Sequence, residues 1–297
     1  MIVIIPMGGL GSRFRDKGYT APKPAIPVTC RRTGARLPMV VAAMRDIPGI
    51  HLPSTRIFCI GREEYRPSGL EDSIRAHFPR ARFLHDHVQY GQAFACLLAR
   101  EHLKTEEEVI VASCDTGFDI DLELFRQRRM KSDVIMLSHS QDESIAHNPA
   151  AHSWAELNPD GWTLSHLAIK AVAAGGDLSG HATTGVFWFR HASAFLRCLE
   201  QTLFATGKPE GRLVDEVLNR CIGEGLKVSF LDVVYYGWGT PRDYENYERT
   251  LQYWESYADN NAWLRAGTLD RDPMSQRAEQ HRTAGAADKR AAGQGRA

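Results

Sequence analysis

An α/β layered fold with a mostly parallel sheet is predicted by three observations: short apolar runs, helical stretches between them, and a Pro/Gly cluster directly after the first run. Residues 2–5 are apolar on both sides, as a strand buried on both faces of a parallel sheet must be, and Pro6 and Gly8 turn the chain into a loop. Residues 57–60, 109–114 and 134–138 are runs of the same kind, and residues 39–45, 92–103 and 122–130 are helical candidates. Ligands of such sheets sit beyond the C-terminal strand ends, which puts the loop after Ile5 and the loop after Cys114 on one rim.

From about Trp154 the pattern changes to half-buried strands joined by turns: residues 154–157, a turn at Asn158-Pro159-Asp160-Gly161, then residues 164–168. Residues 185–189 and 227–231 read as further strands, and residues 192–204 and 213–223 as helices. Thr240 is the expected N-cap of a helix reaching Tyr257, with Pro241 at its first position and Asp243 in its first turn. Past about Leu269 the chain is rich in Arg, Ala, Gly and Gln and nearly free of large apolar residues. We therefore expect a domain over residues 1–258 and a C-terminal extension over 259–297, disordered from about 268. No internal repeat is evident.

With 43% hydrophobic and 24% charged residues, the 297-residue chain can bury a full core. Lys plus Arg and Asp plus Glu each total 36, so no basic excess advertises a nucleic-acid or membrane partner, and local charge must carry any anion recognition. The six cysteines, at 30, 59, 96, 114, 198 and 221, form no CxxC pair, which argues against zinc or a disulfide framework and for buried thiols in a reducing cytosol. The first apolar run is too short for a signal peptide and lacks a basic leader, and no run approaches membrane-spanning length. A cytoplasmic enzyme or binding protein is expected, and a homo-oligomer is compatible with it.

The strongest chemical signal is Gly8-Gly9-Leu10-Gly11-Ser12-Arg13 followed by Pro22-Lys23-Pro24. A glycine-rich loop after a buried strand lets backbone N–H groups approach phosphate oxygens, with Arg13 and Lys23 supplying positive charge. It is not a P-loop, since no Gly-Lys-Ser/Thr follows, and the dinucleotide fingerprint fails because Phe14 stands where its third glycine belongs. On the glycines alone, a tight turn flanked by surface charges explains the pattern equally well.

Taken together, strand, Gly-Gly-x-Gly-Ser-Arg-Phe, Gly18-Tyr19 and Pro22-Lys23-Pro24 resemble the signature of the sugar-phosphate nucleotidyltransferase family. The resemblance implies a three-layer Rossmann-like nucleotidyltransferase fold of the GT-A-like type, covering most of residues 1–258. It implies that Gly8, Gly9, Gly11 and Ser12 wrap the triphosphate, with Arg13 on the outer phosphates and Lys23 near the α-phosphate. Gln89-Tyr90-Gly91-Gln92-Ala93 is similar to the family's base-reading loop, through Gln89 and Gly91, although both glutamines also suit the start of a helix. Asp115, at the end of an apolar strand, faces the ligand crevice and is the candidate Mg²⁺ ligand, because Mg²⁺ takes one or two protein carboxylates plus phosphates. Ile169-Lys170 resembles the family's acceptor-phosphate lysine, with an ion pair to Glu156 as the structural alternative, and Thr183-Thr184-Gly185 its sugar-contacting turn. Gly239-Thr240-Pro241 resembles the segment before its C-terminal helix.

One departure stands out. Many members carry a second metal-binding aspartate where this chain has Gly237, and Asp232 lies an odd number of residues upstream, on the opposite face of a regular strand. The reaction implied is condensation of a nucleoside triphosphate with a phosphorylated small molecule, best a sugar phosphate, giving pyrophosphate. Two rivals remain: a nucleotide-sugar glycosyltransferase using Asp119 and Asp121, and a non-catalytic nucleotide-sensing protein. Neither the base nor the acceptor is named by the sequence.

Overall fold

In the computed structural model, which describes residues 1–88, 90–140, 145, 149–170, 180–205 and 207–260, strand β1 (Ile2–Pro6) is buried at every position. The strands that follow are β2 (Pro27–Thr29), β3 (Arg36–Pro38), β4 (Arg56–Arg62), β5 (Ala81–Asp86), β6 (Val109–Ala112), β7 (Thr116–Asp119) and β8 (Val134–His139). Next come β9 (Trp154–Leu157), β10 (Leu164–Ala168), β11 (Ala182–Phe189), β12 (Val228–Asp232) and β13 (Val234–Gly237). β1 pairs in parallel with β4 on one side and β6 on the other, and β5 continues the sheet beyond β4. β11 runs antiparallel between β6 and β8, β12 is parallel to β8, and the β9–β10 hairpin joins through Ala182 opposite Trp154. All strands of this sheet except β10 and β11 therefore point one way, the mostly parallel arrangement that the apolar runs predict. Two small antiparallel pairs, β2 with β3 and β7 with β13, stand apart from it.

Alternation along β1 divides the interior into two cores, one on each side of the sheet. Val3 and Ile5 pack with the helix Met39–Met44 and with Leu70 and Ile74. Ile2 and Ile4 pack with Ala93, Phe195, Leu199 and Val217 from the helices Gln92–Cys96, Ala192–Phe204 and Val214–Gly223. Each of these β1 side chains is fully buried, worth roughly 1.5–3 kcal/mol apiece. Helix, sheet and helix make three layers.

The helix expected over residues 92–103 is divided into Gln92–Cys96, a 3₁₀ turn Leu97–Ala99 and Arg100–Leu103. Its apolar face survives, with Ala93, Cys96, Ala99 and Leu103 all buried. Ala99, at φ −91° and ψ 7°, tightens the turn between the two halves. These elements lie in one compact unit, Met1–Glu248; the helix Pro241–Asn260 carries the chain into a second, which begins at Arg249. The extension beyond 260 lies outside the described residues. No described helix is long and apolar enough to cross a membrane.

One polar knot fixes the strand that follows Asp115. The Asp46 carboxylate, almost wholly buried, accepts from the Phe118 amide at 3.0 Å, from Arg31 at 2.8 Å and from Arg32 at 3.2 Å. Arg31 reaches on to Asp119 at 2.8 Å and to the Phe118 carbonyl at 2.7 Å. Removing Asp46 would leave the Phe118 amide without its acceptor and take one carboxylate from each of Arg31 and Arg32. Asp46→Ala is accordingly expected to lower unfolding free energy by about 3–5 kcal/mol, read from denaturant titration; a loss within measurement error would show that the knot does not hold β7.

Candidate functional site

The ends of β1 and β6, neighbours in the sheet, open onto a cavity of about 470 Å³. Its wall is drawn from the loop after β1, the Lys23 turn, the ends of β4 and β5, the Gly91 loop, residues 113–115, Lys170 and Leu213.

Gly8 and Gly9 line it directly, and the Tyr65 hydroxyl holds the loop by donating to the Gly9 carbonyl at 2.6 Å. Gly11 caps the short helix Ser12–Asp16 with φ 60°, in the left-handed region. A Cβ at Gly11 would lie 3.0 Å from that of Lys23, so glycine is required there both by conformation and by space. Ser12 and Arg13 are exposed on that helix and do not line the cavity, though Arg13 is near enough to oppose the charge of Lys23. Phe14, the residue that breaks the dinucleotide fingerprint, is buried against Tyr19 at 5.2 Å and Tyr244 at 6.2 Å and anchors the loop.

Lys23 Nζ forms an ion pair with the Asp115 carboxylate inside the cavity. Burial opposes both charges, yet Asp115 holds the Lys23 pKa above the ordinary lysine value and Lys23 holds the Asp115 carboxyl below the usual range. The stabilisation from Asp115 is therefore present above the ordinary carboxylate pKa and lost as pH falls through the lowered one. That from Lys23 is present below the ordinary lysine pKa and lost as pH rises through the raised one. Across neutral pH both halves are charged.

Gly91 lines the cavity at φ 115° while its backbone lies against another: an added Cβ would meet the Arg212 carbonyl oxygen at 3.2 Å. Gln89 lies outside the described residues. Lys170, just past β10, lines the cavity in the left-handed conformation at φ 43°. No ion pair joins it to Glu156 among the described residues; Glu156 stands opposite His166 in the hairpin.

Thr184, expected to touch a ligand, is buried, and its hydroxyl donates to the Leu137 carbonyl at 2.9 Å. Gly185, at φ 77°, backs the wall, since a Cβ there would stand 3.4 Å from Ser113 Cβ. The two aspartates of the alternative reading are engaged within the protein. Asp119 is held by Arg31 and Arg32, and Asp121 caps the helix Leu122–Lys131, accepting from the Glu123 and Leu124 amides at 2.9 Å. Asp232 binds Ser138 at 2.6 Å and His181 at 2.9 Å, away from the cavity. At Gly237 a Cβ would fall 2.5 Å from the Tyr235 hydroxyl oxygen, so an aromatic ring fills the space that a second carboxylate would need. No three His, Cys, Asp or Glu side chains converge on a metal-sized site among the described residues; the carboxylates lining the cavity are Asp86 and Asp115.

Sequence reasoning overlooked Arg62 and Asp86 at the ends of β4 and β5, both of which line the cavity. For Arg62 the signal was available, because it follows the apolar run at 57–60; for Asp86 it was not, because β5 carries no apolar run.

No family model matches the chain, and no curated protein matches it by sequence. Solved structures do match. The nucleoside-diphosphate-sugar pyrophosphorylase of Vibrio cholerae RC9 superposes with TM-score 0.65 at 19% identity, over 83% of this chain and 99% of that one. The inositol-1-phosphate CTP transferase of T. maritima gives 0.60 at 16%, over 82% and 90%, and HddC of Yersinia pseudotuberculosis 0.60 at 16%, over 84% and 99%. The chain has the Rossmann-like nucleotidyltransferase fold.

Within that nucleotidyltransferase fold the Lys23–Asp115 pair lies in the cavity, and Gly11 leaves room for Lys23. Gly11→Val should lower the melting temperature, with the left-handed conformation alone costing about 1–2 kcal/mol. The Lys23 amine should also become more reactive toward acylating reagents. Wild-type stability together with wild-type Lys23 labelling would refute the requirement.

Proposed function

We propose that the chain is a nucleotidyltransferase that condenses a nucleoside triphosphate with a phosphorylated small molecule, most suitably a sugar phosphate, and releases pyrophosphate. The observation that carries this reading is one cavity lined by a glycine-rich loop, the Lys23–Asp115 pair and a second cation, Lys170. Two anionic substrates need two separate sets of positive charge, and the cavity offers them. The fold is shared with proteins whose names describe the same class of reaction, among them a nucleoside-diphosphate-sugar pyrophosphorylase and an inositol-1-phosphate CTP transferase.

On this reading a phosphate oxygen of the acceptor attacks the α-phosphorus. A new P–O bond forms as the bond to the β-phosphate bridging oxygen breaks, and the electron pair leaves with pyrophosphate. The acceptor is already an anion, so no general base is required, and catalysis consists of positioning and charge neutralisation. Backbone N–H groups of Gly8 and Gly9 and the side chain of Arg13 bind the outer phosphates, with Ser12 beside them. Lys23 turns from Asp115 to the α-phosphate, where negative charge grows. Gly91 and Gln89 contact the base, Lys170 holds the acceptor phosphate, and Gly185 supports the wall behind it. Asp115, a carboxylate lining the cavity just past β6, suits Mg²⁺, which takes one or two such ligands and would supply Lewis-acid neutralisation of the triphosphate.

The filled space at Gly237 favours one other reading, a nucleotide-sensing protein without turnover. A matrix of nucleoside triphosphates against hexose, heptose and amino-alcohol phosphates, scored for pyrophosphate with Mg²⁺, separates the two. Pyrophosphate release in at least one cell is expected, and nucleotide binding with no release in any would leave the sensor. In the active cell, Asp115→Asn should lower kcat by about 10²–10³-fold while the protein stays folded. Wild-type turnover would remove Asp115 from the site. Lys23→Ala should impair the chemical step with every acceptor, because its charge serves the triphosphate.

A further inference from the structure

Lys170 is the one described non-glycine residue with positive φ, a conformation that persists only where its surroundings enforce it. Its amide donates to the Ser153 hydroxyl oxygen at 3.2 Å. Ser153 is itself fully buried, and its hydroxyl acts on the buried carboxyl of Asp215, on the helix Val214–Gly223, favouring the ionised form. Four residues along the same helix face, Asn219 grips Leu167 in both directions, accepting from its amide at 2.8 Å and donating to its carbonyl at 2.9 Å. The end of β10 is thus held at two points by one helix.

Asp215 is expensive in this position. It is buried, its Oδ1 has no hydrogen-bond partner among the described residues, and burial pushes its carboxyl up to about 6 although the Lys170 ammonium and Ser153 act in the other direction. Ordinary structural duties do not explain it. The helix is capped by Glu216, whose carboxylate accepts from the Leu213 amide at 3.0 Å, and packing is supplied by Val214, Val217 and Leu218. A buried charge that costs stability and faces a cavity cation is the pattern of a residue kept for function.

We propose that Asp215, acting through Ser153, is the positioning residue of Lys170: it fixes the strained backbone and the ammonium of Lys170 in the cavity and thereby sets affinity for the phosphorylated acceptor. The proposal rests on the function given above. An ionised carboxylate only accepts, so it commits the Ser153 proton to itself and leaves the serine lone pairs for the Lys170 amide. An amide at position 215 can donate as well as accept and removes that commitment.

The test uses Asp215→Asn and Ser153→Ala in the full chain. With the acceptor that gives pyrophosphate, both should raise the acceptor KM by about tenfold or more and leave the triphosphate KM within about twofold, because only one half of the site is touched. A carboxyl whose folded pKa is raised binds its proton more tightly when folded, so stability falls as pH rises through about 6 and stays lower above it. Asp215→Asn should therefore melt no lower than wild type at about pH 8, the reverse of what loss of a structural support would give. A fall in melting temperature with both KM values rising together, or an unchanged acceptor KM in either stable variant, would overturn the proposal. Amide hydrogen exchange of the segment ending at Lys170 needs no turnover and keeps the two readings apart. Faster exchange in Ser153→Ala and Asp215→Asn supports the positioning network even if no acceptor reacts, and wild-type exchange in both variants defeats it whatever the protein's activity.

Discussion

The buried ion pair between Lys23 and Asp115 is the interaction around which the cavity is organised. Taking two such charges from water costs several kcal/mol per ion, and their attraction offsets this only when geometry is held closely. The chain supplies that geometry from both sides. Lys23 stands on a 3₁₀ turn between two prolines, beside the space left by Gly11, and Asp115 lies between β6 and β7 with its carbonyl accepting from the Trp238 amide at 2.9 Å. Gly239 lets the backbone come close, since a Cβ there would stand 3.4 Å from the Asp115 carboxylate. On the proposed function the pair is also a device for exchange. A triphosphate with its cation offers each partner a new counter-charge, so the pair can separate without either charge being left alone in the interior.

Much of this was legible in the sequence, for a local reason. A central parallel strand is apolar on both faces, so β1, β4, β6 and β8 announce themselves as runs, and a loop at the end of such a run must sit on the ligand rim. The β9–β10 hairpin and the helix Ala192–Phe204 were equally plain, because a turn motif and a clean helical period bound them. Elements whose stability comes from partners were not. β5 lies at the sheet edge and reads Ala-Arg-Phe-Leu-His-Asp, with no period strong enough to mark a strand. β7 and β13 exist through each other and through the Asp46 knot, which joins residues far apart in the chain.

The candidate site divides along the same line. Gly8, Gly9, Lys23, Gly91, Asp115 and Lys170 belong to motifs that a linear reading can find, and they meet in the cavity. Asp119 and Asp121 also looked like chemistry, but a carboxylate's meaning depends on what neutralises it. Here two arginines and a helix N-terminus do so, and neither partner is visible in the local sequence. Asp215 is the converse case. In a first helical turn an aspartate normally complements the helix dipole, and its burial, with Ser153 and Lys170 acting on it, is what motivates the positioning role proposed above.

The helix Val214–Gly223 and the segment before it bind elements on both sides of the cavity. The segment leading into it is bound to the Gly91 loop by the Gly211 amide, which donates to the Tyr90 carbonyl at 2.7 Å, and by the Ala93 amide, which donates to the Arg212 carbonyl at 3.1 Å. The helix itself grips β10 through Asn219 and reaches Lys170 through Asp215 and Ser153. The loop proposed to read the nucleotide base and the lysine proposed to hold the acceptor thus share one rigid support. Phosphoryl chemistry of the proposed kind gains most of its rate from fixing two anions in line, and an error of about 1 Å in that alignment costs about 10²-fold. A common support removes one source of such error, because displacement of the helix moves both contacts in the same direction. It also accounts for the fold's tolerance of a strained lysine and a costly aspartate at this point: each lies on the short path that joins one side of the cavity to the other.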